Sequence, residues 1–149
     1  MPGPQDFPTD PAALAAFFEE DGERFLPGLL DIEVVELKQA WSVLRLDVKT
    51  KHLASNGFLH AGTVVTLADT ACGYGCVASM PEGANGFTTI ELKSNHLGTA
   101  VAGVITAQAS LVHGGRTTQV WDAKIISEAS AKTIALFRCT QMILYPRDK

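Results

Sequence analysis

A chain of 149 residues, 46% hydrophobic and 19% charged, has the size and composition of one globular domain with a sizeable core. Its formal net charge of −4, with no Lys/Arg run, argues against a nucleic-acid binder, so an anionic ligand has to be met by a few local cations. Cys72, Cys76 and Cys139 are an odd number without a CxxC pair, which fits reduced core thiols in a cytoplasmic protein rather than a disulfide framework.

Residues 1–9 read as a loose, proline-rich arm without the basic start and apolar centre of a signal peptide. "TDPAALAAFFEE" follows as a short helix, capped by Thr9 or Asp10, with Pro11 suited to its first turn. Gly22 and Pro27 break that pattern, which sets residues 1–27 apart from a single domain over 28–149. "LLDIEVVELKQ" and "WSVLRLDVKTK" read as two strands, with Leu44, Leu46 and Val48 alternating against polar neighbours. A loop, "KHLASNGFLHAG", carries the turn signal Asn56-Gly57.

The run from Ala61 to Met80 has nearly the length of a membrane span, but its threonines, its glycines and Asp69 point to a buried helix instead. It is apolar nearly all round, so it belongs in a core. Pro81, Gly83 and Gly86 stop it. Four consecutive strands come next: "FTTIELKSNHL", "AVAGVITAQASLVH", "RTTQVWDAKIIS" and "KTIALFRCTQMILY". Their short joints read as hairpin connections, giving an antiparallel sheet of about six strands curled around one long helix, an α+β fold.

Asp69 is the single charge between Ala61 and Pro81. Three readings fit it: a structural carboxylate satisfied locally, a group at a subunit interface, or a catalytic base or nucleophile whose apolar surroundings tune its reactivity. The helix start, His60-Ala61-Gly62, supplies terminal amides and a positive dipole end suited to a developing oxyanion, although a glycine there also serves plain loop geometry. Seven residues separate Gly62 from Asp69, which is about 10 Å along one helix face. That is too far for both to act on one carbonyl, so a shared reaction requires two chains, related by a twofold axis.

The pattern Asn56-Gly57-x-x-His60-x-Gly62, followed by Leu67-Ala68-Asp69, resembles the hotdog-fold thioesterases of the phenylacetate-degradation PaaI type, near the 4-hydroxybenzoyl-CoA thioesterases. The resemblance runs over roughly residues 28 to 145 and includes the "GGRT" turn at Gly114 to Thr117. It implies a homodimer, often a homotetramer, acting on an acyl-CoA thioester without metal or redox cofactor. Asp69 matches the acid that attacks the thioester or activates water, and Gly62 the glycine whose amide polarises the carbonyl. His60 and Asn56 match residues that position the thioester from the other subunit, and Thr89 a hydroxyl that holds the attacking water. One departure is Ala61, where the family usually has glycine; its methyl group narrows the approach.

Arg116, beside Thr117 and Gly115, reads either as a contact for the phosphate or pantetheine arm of coenzyme A or as a solvated hairpin charge. Phe58, Leu59, Val65 and Tyr74 are candidates for an acyl pocket and equally for core. His52, His96 and His113 read as surface or strand histidines without a role. Hydrolysis of an aryl- or fatty-acyl-CoA is the leading expectation. A non-catalytic acyl-CoA-binding module is the alternative, ahead of a hotdog hydratase or dehydratase, whose usual motifs are missing.

Overall fold

The computed structural model describes residues 7–146, so the first six residues of the expected N-terminal arm lie outside the described ones. Helix α1 (Pro11–Gly22) starts where the Asp10 carboxylate accepts a hydrogen bond from the Ala13 amide at 2.9 Å, with Pro11 in the first turn. Leu14 and Phe18, four apart, bury one face of α1 against Leu37 and Tyr74 in a small apolar cluster. The expected strand from Leu29 begins later. A single helical turn, α2 (Leu26–Leu29), occupies that stretch, because Pro27 suits a first helical turn and has no amide to give a sheet.

Strands β1 (Glu33–Lys38) and β2 (Trp41–Val48) form a hairpin, and a 3-10 turn over Thr50–His52 leads through the loop into α3 (Ala61–Ala78). Then come β3 (Gly86–His96), β4 (Gly103–Gly114), β5 (Thr118–Ser127) and β6 (Lys132–Leu144). All six strands join one antiparallel sheet in the order β1-β2-β4-β5-β6-β3. The β3–β4 connection is therefore not the hairpin that its short joint suggests. Residues 97–102 carry the chain from the β3 edge to the sheet centre, and the Leu97 and Gly98 amides donate to the Ile134 carbonyl on the way.

The concave face of the sheet wraps α3, which packs against all six strands. Alternation puts Leu44, Leu46 and Val48, then Ile105, Ala107 and Ala109, then Trp121, Ala123 and Ile125 on that face, all buried. The run of alanines lets the helix backbone come close. On its far side α3 is not enclosed within one chain: Val65, Thr66, Asp69 and Thr70 form a half-exposed stripe. Sequence periodicity does not separate this stripe from the core because valine, threonine and alanine populate both sides.

Candidate active site

Two features of the loop fix the start of α3. Asn56 caps its tip, where Oδ1 accepts from the Phe58 amide at 3.1 Å and Gly57 takes a left-handed φ of 83°. Behind it, the His52 carbonyl accepts from the His60 amide at 3.0 Å and from the Thr63 hydroxyl at 3.0 Å. His52 is fully buried, unlike the surface or strand position expected of it, and its Nδ1 accepts from the Lys49 amide at 2.9 Å. Burial lowers its pKa, so the ring stays neutral and can serve as that acceptor. His96 and His113 are exposed on β3 and β4.

His60 is the N-cap of α3. Its Nδ1 accepts from the Gly62 amide at 2.8 Å. A Cβ at residue 62 would stand 2.9 Å from that nitrogen, so glycine is what lets the imidazole lie over the helix tip. The Gly62 amide is thus occupied within one chain, and a carbonyl reaches it only when the imidazole swings aside. The Ala61 amide, also at the tip, donates to no described group.

Asp69 lies two turns further on, half-buried. Desolvation raises its pKa, and the Thr89 hydroxyl, 3.5 Å from Oδ1, partly opposes that rise. A carboxylate in this setting is a stronger base than one in water and still reachable from the surface. Thr89 also donates to Gln141 Oε1 at 2.9 Å, and Gln141 Nε2 lies 3.3 Å from Cys139 Sγ. The hydroxyl has one proton to share between carboxylate and amide.

Gln141 and its β5 partner Gln119 are absent from the sequence reading, yet both are buried on the helix-facing side of the sheet. Gln119 accepts from the Trp121 indole at 2.8 Å and donates to the Ser79 carbonyl at 2.8 Å. Their phase is the signal that finds them. Gln141 alternates with Phe137, Cys139 and Ile143, and Gln119 with Trp121, Ala123 and Ile125, so both belong to buried faces.

The expected residues thus fall into three groups. Asn56, His60 and Gly62 cluster at the N-terminal tip of α3, Asp69 and Thr89 meet at its middle, and Gly115, Arg116 and Thr117 sit beyond its C-terminal end. The Gln119–Ser79 hydrogen bond ties this last group's strand to that end of the helix, roughly 25 Å from Gly62. In the turn, Gly115 donates to the Thr118 carbonyl at 2.9 Å, and the Thr117 carbonyl accepts from the Ile143 amide at 2.8 Å. The Arg116 guanidinium lies 5.1 Å from the centre of the Tyr145 ring, whose hydroxyl donates to the Arg116 carbonyl at 2.6 Å.

Of the pocket candidates, Phe58 is exposed, while Leu59, Val65 and Tyr74 are half-buried and packed on the core. Cys72, Cys76 and Cys139 are free and buried, and burial pushes the Cys76 thiol up to about 12, which keeps it an unreactive thiol. Among the described residues no cluster of three or more His, Cys, Asp or Glu is placed to hold a metal ion, and no helix is long and apolar enough to cross a membrane.

Known proteins resemble this chain in sequence and in fold. The model of the thioesterase superfamily matches residues 56–134, a span that takes in Asn56, His60, Gly62, Asp69, Thr89 and the turn at Gly115 to Thr117. A 1,4-dihydroxy-2-naphthoyl-CoA hydrolase from Listeria monocytogenes is 36% identical over 111 residues, covering 74% of this chain and 89% of the relative. The acyl-coenzyme A thioesterase PaaI of Escherichia coli is 31% identical over 110 residues, 73% of this chain and 75% of that protein. Among solved structures, a point mutant of the Staphylococcus aureus thioesterase SAV0944 superposes with a TM-score of 0.76 at 28% identity, covering 80% of this chain and 98% of that one. A point mutant of the Pseudomonas aeruginosa thioesterase PA1618 has the same fold, with a TM-score of 0.82 at 24% identity over 87% of this chain and 93% of that one. With one helix wrapped by one antiparallel sheet, and with the family match spanning the residues gathered on that helix, the chain is a hotdog-fold member of the thioesterase superfamily.

Proposed function

We propose that this chain hydrolyses an acyl-CoA thioester to a free acid and coenzyme A. The observation that carries the proposal is Asp69, an acid with a raised pKa beside the Thr89 hydroxyl on an otherwise apolar helix. Water held by Thr89 attacks the thioester carbonyl while Asp69 takes its proton, or the carboxylate attacks directly and water then cleaves the resulting anhydride. The tetrahedral oxyanion is held by the amides at a helix tip. The C–S bond breaks, and the proton goes to the leaving thiolate.

Asp69 and the tip of its own helix lie too far apart to share one carbonyl, so the working site pairs Asp69 with Asn56, His60 and Gly62 of a second copy. The outer edge of β3, which pairs with no strand among the described residues, supports such a pairing. It is eleven residues long and displays Ile90 and Leu92, 54% and 45% exposed. An edge of that length is a template for another strand. Arg116, with Thr117 and Gly115, supplies a cation in a turn for the phosphates of coenzyme A.

Free-thiol release from a panel of acyl-CoA esters, measured on wild type and Asp69→Asn, tests the reading. The amide cannot take the proton, so turnover falls by about 10²–10⁴-fold. Equal turnover in the variant removes Asp69 from the reaction. Tight acyl-CoA binding with no thiol released by wild type makes the chain a binding module instead.

A further inference from the structure

We infer that Gln141 is a positioning residue for the water that attacks the thioester. Its carbonyl takes the Thr89 proton, which turns the hydroxyl's lone pairs toward Asp69 and makes Thr89 an acceptor for that water. The inference deepens the hydrolysis reading and rests on it.

Burying an amide is unfavourable unless its polar atoms are met. Phe137, Cys139 and Ile143 fill the same face of β6, where a leucine in place of Gln141 would have no polar group to satisfy. Gln141 is fully buried there with two described partners: Oε1 accepts from Thr89 Oγ1 at 2.9 Å, and Nε2 lies 3.3 Å from Cys139 Sγ, a weak acceptor. Its β5 neighbour Gln119 does not compete for it. Gln119 uses its own carbonyl on the Trp121 indole and its amide nitrogen on the Ser79 carbonyl. Among the described residues, the strong hydrogen bond of Gln141 therefore runs to the half-buried hydroxyl beside Asp69.

The backbone aims this pair. Thr89 and Gln141 stand directly opposite each other across β3 and β6, and β3 carries an extra residue, Ile90, immediately afterwards. Such a bulge bends its strand and re-aims the neighbouring side chain. Distance then decides where the single hydroxyl proton goes. The 2.9 Å bond to Gln141 is of ordinary length, whereas Asp69 Oδ1 at 3.5 Å is beyond a good one. The proton goes chiefly to the amide, and the lone pairs of Thr89 Oγ1 are left facing the carboxylate.

Both oxygens are then acceptors toward the space beside them, and one water at about 2.8 Å can reach both. It gives one hydrogen to Thr89 and the other to Asp69, so its own lone pair is free for the thioester carbonyl carbon. As that C–O bond forms, the water O–H bond facing Asp69 breaks and the carboxylate takes the proton. The C–S bond then breaks, and the proton passes from Asp69 to the thiolate sulfur. A Thr89 hydroxyl that gave its proton to Asp69 would weaken the base and leave the water one anchor short.

A double-mutant cycle on thiol release tests this. Wild type, Gln141→Leu, Thr89→Val and the double variant are compared by kcat and KM on the acyl-CoA ester that wild type hydrolyses fastest, with thermal melts to check folding. Gln141→Leu lowers kcat by about 10–100-fold and leaves KM within about twofold, because the misplaced group is the water and not the thioester. In the Thr89→Val background the same change lowers kcat by less than about twofold further, since Gln141 acts only through that hydroxyl. Thr89→Ser, which keeps a hydroxyl opposite Gln141, keeps the sensitivity to Gln141→Leu. Gln141→Met has the length of glutamine without its carbonyl, and gives the same pattern should the leucine variant fail to fold. Losses that multiply in the double variant, or a Gln141→Leu protein as fast as wild type, overturn the inference and leave hydrolysis standing. A wild type that releases no thiol from any ester overturns both.

Discussion

A carboxylate held half-buried carries a stability cost that its chemistry uses. Because burial raises the Asp69 pKa, the folded chain keeps this proton to a higher pH than the unfolded chain. Between the two pKa values the folded state binds more protons, so stability falls as pH rises through that window. Asparagine carries no such proton. Asp69→Asn therefore melts at a higher temperature than wild type at neutral pH, and its advantage disappears below the ordinary carboxylate range near pH 4. Thermal melts of both proteins between about pH 3 and 8 check this, and superimposable curves would mean that Asp69 is not desolvated. The neighbouring hydroxyl gives a prediction of opposite signs. Thr89→Val removes the group that lowers the Asp69 pKa, so the acidic limb of the pH–rate profile moves to higher pH. Gln141→Leu removes the competing acceptor 2.9 Å from Thr89, leaves the hydroxyl to Asp69 alone, and moves the limb to lower pH. Profiles that shift in the same direction for both variants would break the proposed Asp69–Thr89–Gln141 chain.

Between element and element, contact depends on glycine where the helix meets the sheet. A Cβ at Gly75 would stand 2.7 Å from two atoms of the Trp121 ring. That ring is fully buried and its indole donates to Gln119, so it cannot turn away. Alanine ordinarily favours a helix over glycine by about 1 kcal/mol, but here the overpacking wins, and Gly75→Ala destabilises by about 1–3 kcal/mol in urea unfolding. A gain in stability would show that the sheet gives way. The same contact shows where sequence reading succeeds. Six strands, the long helix and the Asp10–Pro11 start of α1 follow from alternation, punctuation and capping, which are local. Asp69 is legible because a lone charge in an apolar run needs a reason. The order of the strands is not local: the link over residues 97–102 is as short as a hairpin link, and only the packing of β3 against β6 reveals that it crosses the sheet. Gln141 and Gln119 look like solvent-facing positions until their phase with Phe137 and Trp121 is followed. His52 sits in a loop-like stretch, and its burial comes from the backbone bonds it makes to His60 and Thr63.

At the scale of the whole molecule, one chain leaves its proposed chemistry divided: a basic carboxylate at mid-helix, an amide-bearing tip two turns away, and a long strand edge unpaired among the described residues. A twofold pairing along β3 would join carboxylate to tip twice over, and mixing two damaged proteins tests this directly. Asp69→Asn lacks the base, and Gly62→Val closes the helix tip, because even one methyl group there meets His60 at 2.9 Å. Each alone is inactive. Co-refolded in equal amounts, they form heterodimers in half of all pairs, and each heterodimer holds one site with neither lesion and one with both. Activity returns to about a quarter of the wild-type value. If both groups served from the same chain, every site would keep one lesion and mixing would restore nothing. Placing lysine at both Ile90 and Leu92 supplies the matching control, since like charges along the β3 edge oppose strand pairing. That variant sediments as a monomer and loses activity together with its dimer, whereas an active monomer would place the complete site within one chain.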